Sequence, residues 1–273
     1  MFHHLISLVL EGALHVVALP TQLNRILDLG TGTGIWAIDM ADAHPSAHVI
    51  GVDLSPIQPG WVPPNCVFEV DDLEKPWLWK EPFDFIHSQN IAQGIRDWPL
   101  YMKRIYDNLT PGGVVQLLEA RMFFESDDDS LPKGGAVEQY FDAFKKASVI
   151  AGIKDQADGM EANLRELGYE DVRTVVKKMP IGPWPKDPKK KEQGRWGMAI
   201  VEQGFKAYGS AMFTRLLGMS LEEADELCDN AFKECRQRGV HSYNAQYDPT
   251  PVLAVHVLTA FLGSLSRDVN PSP

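Results

Sequence analysis

Apolar residues in the first half of the chain fall into short runs separated by turn-rich or amphipathic stretches. Arg25–Leu29 (RILDL) precedes a glycine cluster, and such a run predicts a strand buried on both faces of a parallel sheet. The period then lengthens, and Ile35–Ala43 reads as a helix ending near His44-Pro45. His48–Asp53 is a second strand. The stretch after it, Leu54–Asn65 (LSPIQPGWVPPN), holds four prolines in twelve residues. Proline fixes φ and lacks an N–H, so this segment is no regular helix; Trp61 within it is expected to cover the sheet's flank. Cys66–Val70 and Phe83–His87 read as further strands and Trp98–Leu109 as a helix. Thr110-Pro-Gly-Gly then turns the chain into a strand over Val114–Glu119. Strands alternating with helices at this spacing predict an α/β, doubly wound, mostly parallel sheet, with ligands at the strands' carboxyl ends.

After Glu119 the pattern changes. Residues 134–152 and 159–168 read as helical and Asp171–Lys178 as a strand. Met179–Pro188 reads as a proline-rich connector, and 194–218 and 221–238 as two more helices. Ser220 with Glu223 three residues on fits a capped helix start. Trp196, Phe205, Tyr208, Met212, Phe213 and Met219 form either an amphipathic face over the sheet or an aromatic-lined lid over a pocket. The chain thus divides into a lead-in segment (1–20), a cofactor-binding core (21–125), a helical substrate or lid region with one returning strand near 171–178 (126–240), and an atypical C-terminal segment (241–273).

Composition narrows the function classes. Across 273 residues the net charge is −11 and the pI about 5.2, which argues against a surface for a nucleic-acid backbone. The short basic cluster Lys186–Lys191 reads as a solvated loop. Cys66, Cys228 and Cys235 show neither metal-ligand nor disulfide spacing, and a reducing compartment follows, cytoplasmic or nuclear. The apolar N-terminus lacks a basic leader region and contains Glu11 and His15, unlike a signal peptide. Val252–Leu265 spans fourteen apolar-rich residues, short of the ~20 a membrane helix needs. No direct nucleic-acid partner, no membrane and no metal are expected.

The chemistry concentrates at five marks along the sheet. Asp28-Leu-Gly-Thr-Gly-Thr-Gly34 lies between a strand and a helix, where glycines let backbone turn tightly and approach a ligand. Its spacing, acidic-x-G-x-G-x-G, differs from the G-x-G-x-x-G of nicotinamide binders. Asp28 would repel a pyrophosphate but hold a cationic amine, directly or through water. Asp53, nineteen residues beyond Gly34, can accept both hydroxyls of a ribose. In Glu69-Val-Asp-Asp-Leu73, Asp72 can accept an adenine amine while Leu73 offers its backbone N–H. The carboxyl end of Phe83–Ser88 opens onto the same crevice, and Leu109-Thr-Pro-Gly-Gly-Val114 is a turn into the fifth strand.

These five marks together resemble a class I S-adenosylmethionine-dependent methyltransferase over residues 20–120. LDLGTGTGIWAIDMA, VIGVDLSPIQPGWVPPN, FEVDDLEKPW, FDFIH, IGPWPKD and LLGMSLEEADEL extend the likeness, specifically to fungal LaeA-like secondary-metabolism methyltransferases, to about residue 245. The resemblance implies a Rossmann-like, seven-stranded-type sheet with a helical cap after the fifth strand. It implies S-adenosylmethionine as cofactor, leaving S-adenosylhomocysteine, held by Asp28, Gly30, Thr31, Gly32, Gly34, Asp53, Leu54, Asp71, Asp72, Leu73 and Ser88. Two departures stand out. The family carries more sequence ahead of the segment matching Met1–Pro20, so a helix that closes over the cofactor is expected to be missing, and the usual aromatic, valine-rich final strand after Tyr247 is replaced. Sheet completion is therefore open.

In-line methyl transfer needs position more than a fixed catalytic side chain. If the acceptor is a hydroxyl, a base helps; His87 is one candidate, beside the reading of a core histidine, and Gln89 with Asn90 are candidates to orient the acceptor. His3 and His4 are near enough in sequence to the start to close on the site. Three readings remain: a methyltransferase acting on a small-molecule or protein acceptor; a cofactor-binding regulator acting through a protein partner; and an enzyme of this fold that has lost methyl transfer.

Overall fold

Helix α1 (Phe2–Val9) leads to β1 (Arg25–Leu29), α2 (Ile35–Ala43), β2 (His48–Asp53), β3 (Cys66–Val70), β4 (Phe83–Gln89), α3 (Trp98–Asp107) and a long β5 (Leu109–Glu125). The chain continues through α4 (Ala136–Ile150), α5 (Met160–Glu166), β6 (Val175–Pro180), α6 (Pro188–Leu217), α7 (Leu221–Cys235) and β7 (Tyr243–Asp248). This computed structural model describes residues 1–153 and 160–248. The strands form one sheet of order β3-β2-β1-β4-β5-β7-β6, parallel except for β7, which runs antiparallel between β5 and β6.

Alternation along the strands makes two cores. Leu27, Leu29, Ile50, Val52, Val115 and Leu117 face α3 and α5, where Trp98, Tyr101, Met102, Ile105 and Leu164 cover them. Ile26, Val49, Phe85 and Val114 point the other way, against Trp36 and Met40 of α2. A third cluster joins α4, α6 and α7 through Tyr140, Phe144, Phe205, Phe213 and Cys228. That cluster is the cap beside the β5–β7–β6 end of the sheet, while α5 belongs to the sheet's own core. The predicted 126–240 region is therefore shared between the cap and the core.

Several boundaries move for identifiable reasons. Residues 1–20 contain a helix, α1, whose Ile6 and Leu10 bury against Leu118 of β5. The turn predicted at 110–113 is absorbed into β5 by a register shift opposite Phe83–Phe85, with Gly112 at φ 78°. The connector and solvated loop predicted up to Lys191 end early. Asp187 caps α6 by accepting from the Lys190 N–H at 2.9 Å, with Pro188 in the first turn. The returning strand lies at Val175–Pro180, displaced from 171–178. Ser220 and Glu223 form the expected capping box on α7. The sheet is complete because the final strand begins at Tyr243, ahead of the stretch where its absence was inferred. The Val252–Leu265 stretch lies outside the described residues. Trp61 does not cover the sheet's flank: it is 97% exposed.

Candidate active site

Between β1 and α2 the backbone takes positive φ three times, at Gly30 (72°), Gly32 (56°) and Gly34 (78°). The N–H groups of Gly30 and Thr31 both donate to the Val52 carbonyl at 2.9 Å, which draws the loop over the end of β2. A side chain at Gly34 would land on the Phe68 ring of β3, and one at Gly30 would come within 2.9 Å of Ile91. Nothing lies within 4 Å of the Cβ direction at Gly32. Close contacts thus oppose a side chain at two of these glycines, Gly34 against β3 and Gly30 against the loop after β4, while the third faces open space.

Asp28 is 2% exposed. One of its oxygens lies 2.8 Å from His87 Nδ1 and the other accepts from the Thr31 hydroxyl at 2.5 Å. Both oxygens are therefore engaged in shaping the loop. His87 is itself 1% exposed and stacks on Trp36, ring centroids 3.8 Å apart and planes 8° from parallel. That geometry removes His87 from the acid–base candidates, because its ring faces the α2 side of the sheet rather than an open cleft. Ser88 points to the opposite face, where its Oγ accepts from the Tyr101 hydroxyl at 2.8 Å. Its side chain is buried and does not reach the crevice; the same burial pushes the Tyr101 phenol far above its ordinary pKa.

Asp53 stands at the tip of β2, half-buried, accepting from the Gly32 N–H at 2.8 Å and from the Ser55 N–H at 2.9 Å. Gln58, in the proline segment, donates to the Gly32 carbonyl at 2.6 Å and the Ser55 carbonyl at 2.9 Å. The glycine loop is thus braced from β2 through one acceptor and one donor, and no feature of the sequence marked Gln58 for it. Beyond β3, Asp71 is exposed, Asp72 half-buried and Leu73 buried. The Asp72 carboxylate accepts from the Glu74 N–H at 2.9 Å, which forms the turn that carries Leu73 inward. Leu54 is 65% exposed beside Asp53.

The ends of β4 and β5 open on a cavity of about 360 Å³. Asn90, at φ 57°, Ala92 and Gln93 form one side of it, and Glu119 and Met122 of β5 its floor. Glu119 is 4% exposed; its two oxygens accept from the Ile91 N–H at 2.8 Å and the Ala92 N–H at 3.2 Å, fixing this loop. Rings from β5 and α4, namely Phe124, Tyr140, Phe141 and Phe144, meet Phe205 from α6, and Phe2 of α1 closes one edge. Gln89 does not line the cavity; Asn90 does. His3 is occupied at 2.9 Å by Asp39 and His4 packs edge-on against Trp196, so α1 contributes Phe2 rather than a histidine. Among the described residues no group of three His, Cys, Asp or Glu side chains is placed to hold a metal, and no helix is long and apolar enough to cross a membrane.

A family profile described as a methyltransferase domain matches residues 1–169. Methyltransferase pytC of Aspergillus terreus is 38% identical over 89% of this chain and 75% of its own length. Secondary metabolism regulator LAE1 of Cochliobolus heterostrophus is 32% identical over 89% and 82%, and the protein-methionine methyltransferase laeA of Emericella nidulans 31% over 89% and 66%. Among solved structures, phosphoethanolamine N-methyltransferase 2 of Haemonchus contortus, complexed with S-adenosylhomocysteine, superposes with a TM-score of 0.45 at 20% identity, covering 83% of this chain and 49% of its own. With the 3-2-1-4-5-7-6 sheet and the glycine loop at its switch point, the chain belongs to the class I S-adenosylmethionine-dependent methyltransferases, in the family of the pytC and LaeA proteins.

Proposed function

We propose that S-adenosylmethionine lies over the β1–α2 loop and that its methyl group faces the cavity at the ends of β4 and β5. One observation carries this reading: the side chain of Ile91 rests against Gly30, while Asn90 and Ala92 on either side line the cavity. The glycine loop and the cavity therefore share one wall, a single residue thick. The residues present suit the cofactor. Gly32 leaves open space above the loop, Asp53 offers a carboxylate where a ribose would sit, and Asp72 with Leu73 stand where an adenine would end. Asp28, with both oxygens engaged, acts through the loop it shapes.

When bound, the cofactor supplies an electrophilic methyl group on a sulfonium, and its transfer leaves a neutral thioether. The protein's part is to orient and to exclude water. Glu119 holds the 90–93 loop at a fixed distance from Gly30 through its two N–H bonds. Asn90 and Gln93, both exposed at the cavity mouth, are placed to orient a polar acceptor atom by hydrogen bonds, and the acceptor's proton leaves to solvent water at that open side. A second reading, a protein acceptor, draws support from the relative named as a protein-methionine methyltransferase.

Calorimetry with S-adenosylmethionine tests the common premise. Micromolar binding is expected for the parent and a loss of at least tenfold for Asp53→Ala, with circular dichroism unchanged. Absence of binding by the folded parent would overturn it.

A further inference from the structure

Helix α6 carries glycines along its length, and three of them are explained by contact. A Cβ at Gly194 would strike the Gly182 carbonyl oxygen, one at Gly197 would come 2.5 Å from the Pro180 carbonyl oxygen, and one at Gly209 2.8 Å from the Tyr140 ring. These positions let α6 lie directly on the end of β6 and on α4. Gly204 is different. A Cβ there would have no neighbour closer than 3.8 Å, an ordinary contact with Tyr208, and its φ is not positive. Glycine in a helix interior is about 1 kcal/mol worse than alanine, and at Gly204 no packing contact offsets that cost. Gly204 does, however, line the cavity.

The α4 and α6 walls of the cavity are mainly aromatic and aliphatic. Tyr140, Phe144 and Phe205 are at most 5% exposed, and the Tyr140 hydroxyl donates to the Phe205 carbonyl at 3.1 Å. The phenol is therefore used internally, and Tyr140 offers its ring to the cavity. Met122, Met179, Ile181 and Val201 extend the apolar lining. Asn90, Gln93 and Glu119 are polar groups of the side where Ile91 meets Gly30, with the Glu119 oxygens bonded to backbone N–H groups. Arg121, which donates to Glu125 and lies over the Phe123 ring, and Asn244, which donates to the Arg121 and Phe123 carbonyls, are further polar residues of the lining, from β5 and β7. At about 360 Å³ the space is of the size that takes one small organic molecule.

Resting on the cofactor reading above, we propose that the methyl acceptor is a predominantly apolar, ring-bearing small molecule seated between the α4 and α6 aromatics, and that Gly204 sets how large it can be. Stacked or edge-on aromatic contacts hold the body of the ligand, while a single polar acceptor atom reaches the Asn90 side. A peptide backbone would find few partners on the α4 and α6 walls, where its N–H and C=O groups would be buried against rings without hydrogen bonds.

The test uses N-phenyl-1-naphthylamine, a neutral ring-bearing fluorescent probe, titrated into the parent, Gly204→Ala and Gly204→Leu. Saturable one-site binding is expected for the parent, weakened about threefold in Gly204→Ala and at least tenfold in Gly204→Leu. Melting temperature should be equal or higher in both variants, and S-adenosylmethionine affinity by calorimetry should stay within twofold of the parent. Equal probe affinity in the parent and a folded Gly204→Leu would overturn the assignment. If Gly204→Leu fails to fold, the alanine variant decides in the same way. Displacement of the probe by acetyl-Gly-Met-Gly-amide at comparable concentration would also overturn it, in favour of a peptide thioether. Loss of cofactor binding in all three proteins, with probe binding ordered as expected, would remove the cofactor reading and leave the cavity assignment standing.

Discussion

Truncating Glu234 should destabilise a helix to which it does not belong. Glu234 lies on α7 and is 8% exposed; its oxygens accept from the Ala136 N–H at 2.7 Å and the Val137 N–H at 3.3 Å, at the start of α4. No side chain of α4's own caps that end, since its N-cap is Gly135. A hydrogen bond to a charged group contributes about 1.5–3 kcal/mol, and the longer second bond less. A carboxylate at a helix N-terminus adds roughly 0.3–1 kcal/mol. Glu234→Ala further leaves the Val137 N–H buried without a partner, so the total cost is about 2–4 kcal/mol, set against a native stability of about 5–15. At about 2–4 °C per kcal/mol for a domain of this size, the melting temperature should fall by roughly 5–15 °C. Glu234→Gln keeps one neutral acceptor and should recover about half of the loss. Urea titration followed by circular dichroism measures both variants at unchanged m-value. A Glu234→Ala midpoint within the equivalent of about 0.5 kcal/mol of the parent would refute the cap, and a Gln variant as stable as the parent would remove charge from the account.

Other tests reach the loop, the thiols and α7. Gly34→Ala places a methyl on Phe68 at positive φ and should cost about 2–4 kcal/mol, whereas Gly32→Ala meets only open space and should cost about 1–2 kcal/mol; equal losses in urea titration would contradict the steric half of this reading. Burial first, then Asp28 and Asp42, pushes the Cys66 thiol up to about 11, and burial first, then Glu234, pushes Cys235 up to about 12. An unfolded thiol titrates near ~8.5. Both folded values lie above it, so this contribution is whole below that pH and is lost as pH rises toward the folded values. The urea midpoint should therefore fall between pH 8.5 and 11, less steeply in the Cys66→Ala/Cys235→Ala double variant. Ser220→Ala removes the hydroxyl that accepts from the Glu223 N–H at 3.1 Å and should cost about 1 kcal/mol by the same titration.

The first four strands were legible because each is a short apolar run bounded by glycine, proline or charge; of β5 only the central run Val114–Glu119 was, since its extension at both ends is set by pairing with β4 and β7. The glycine loop and Asp53 were legible for the same reason: the backbone conformation needs glycine, and a strand tip needs its carboxylate. What escaped was everything decided by contact across the chain. Nothing in the local sequence distinguishes Glu119 or Glu234 from solvated glutamates, yet their oxygens bond backbone groups 27–28 and 97–98 residues away. His87 in a strand of apolar neighbours is legible as a core histidine, but its pairing with Asp28, 59 residues away, is not. Gln58 answers why the proline segment exists better than any proline does, since it fastens the segment to Gly32. Trp61, by contrast, is left exposed, and nothing in the structure explains it.

The placement of β7 has a consequence for how the molecule is made. Among the described residues, strand β6 pairs only with β7, and β7 alone links it to β5. On a ribosome, residues 25–118 can pair as they emerge, each strand meeting one already present. Residues 175–180 cannot: they must wait until residue 248 has left the exit tunnel before any neighbour arrives. Through that interval the cap helices have been synthesised but the sheet edge that seats α6 has not closed. The half that carries the glycine loop is thus available to fold early, and the half that carries the β6 edge and the cap assembles last, in one late step of long sequence separation.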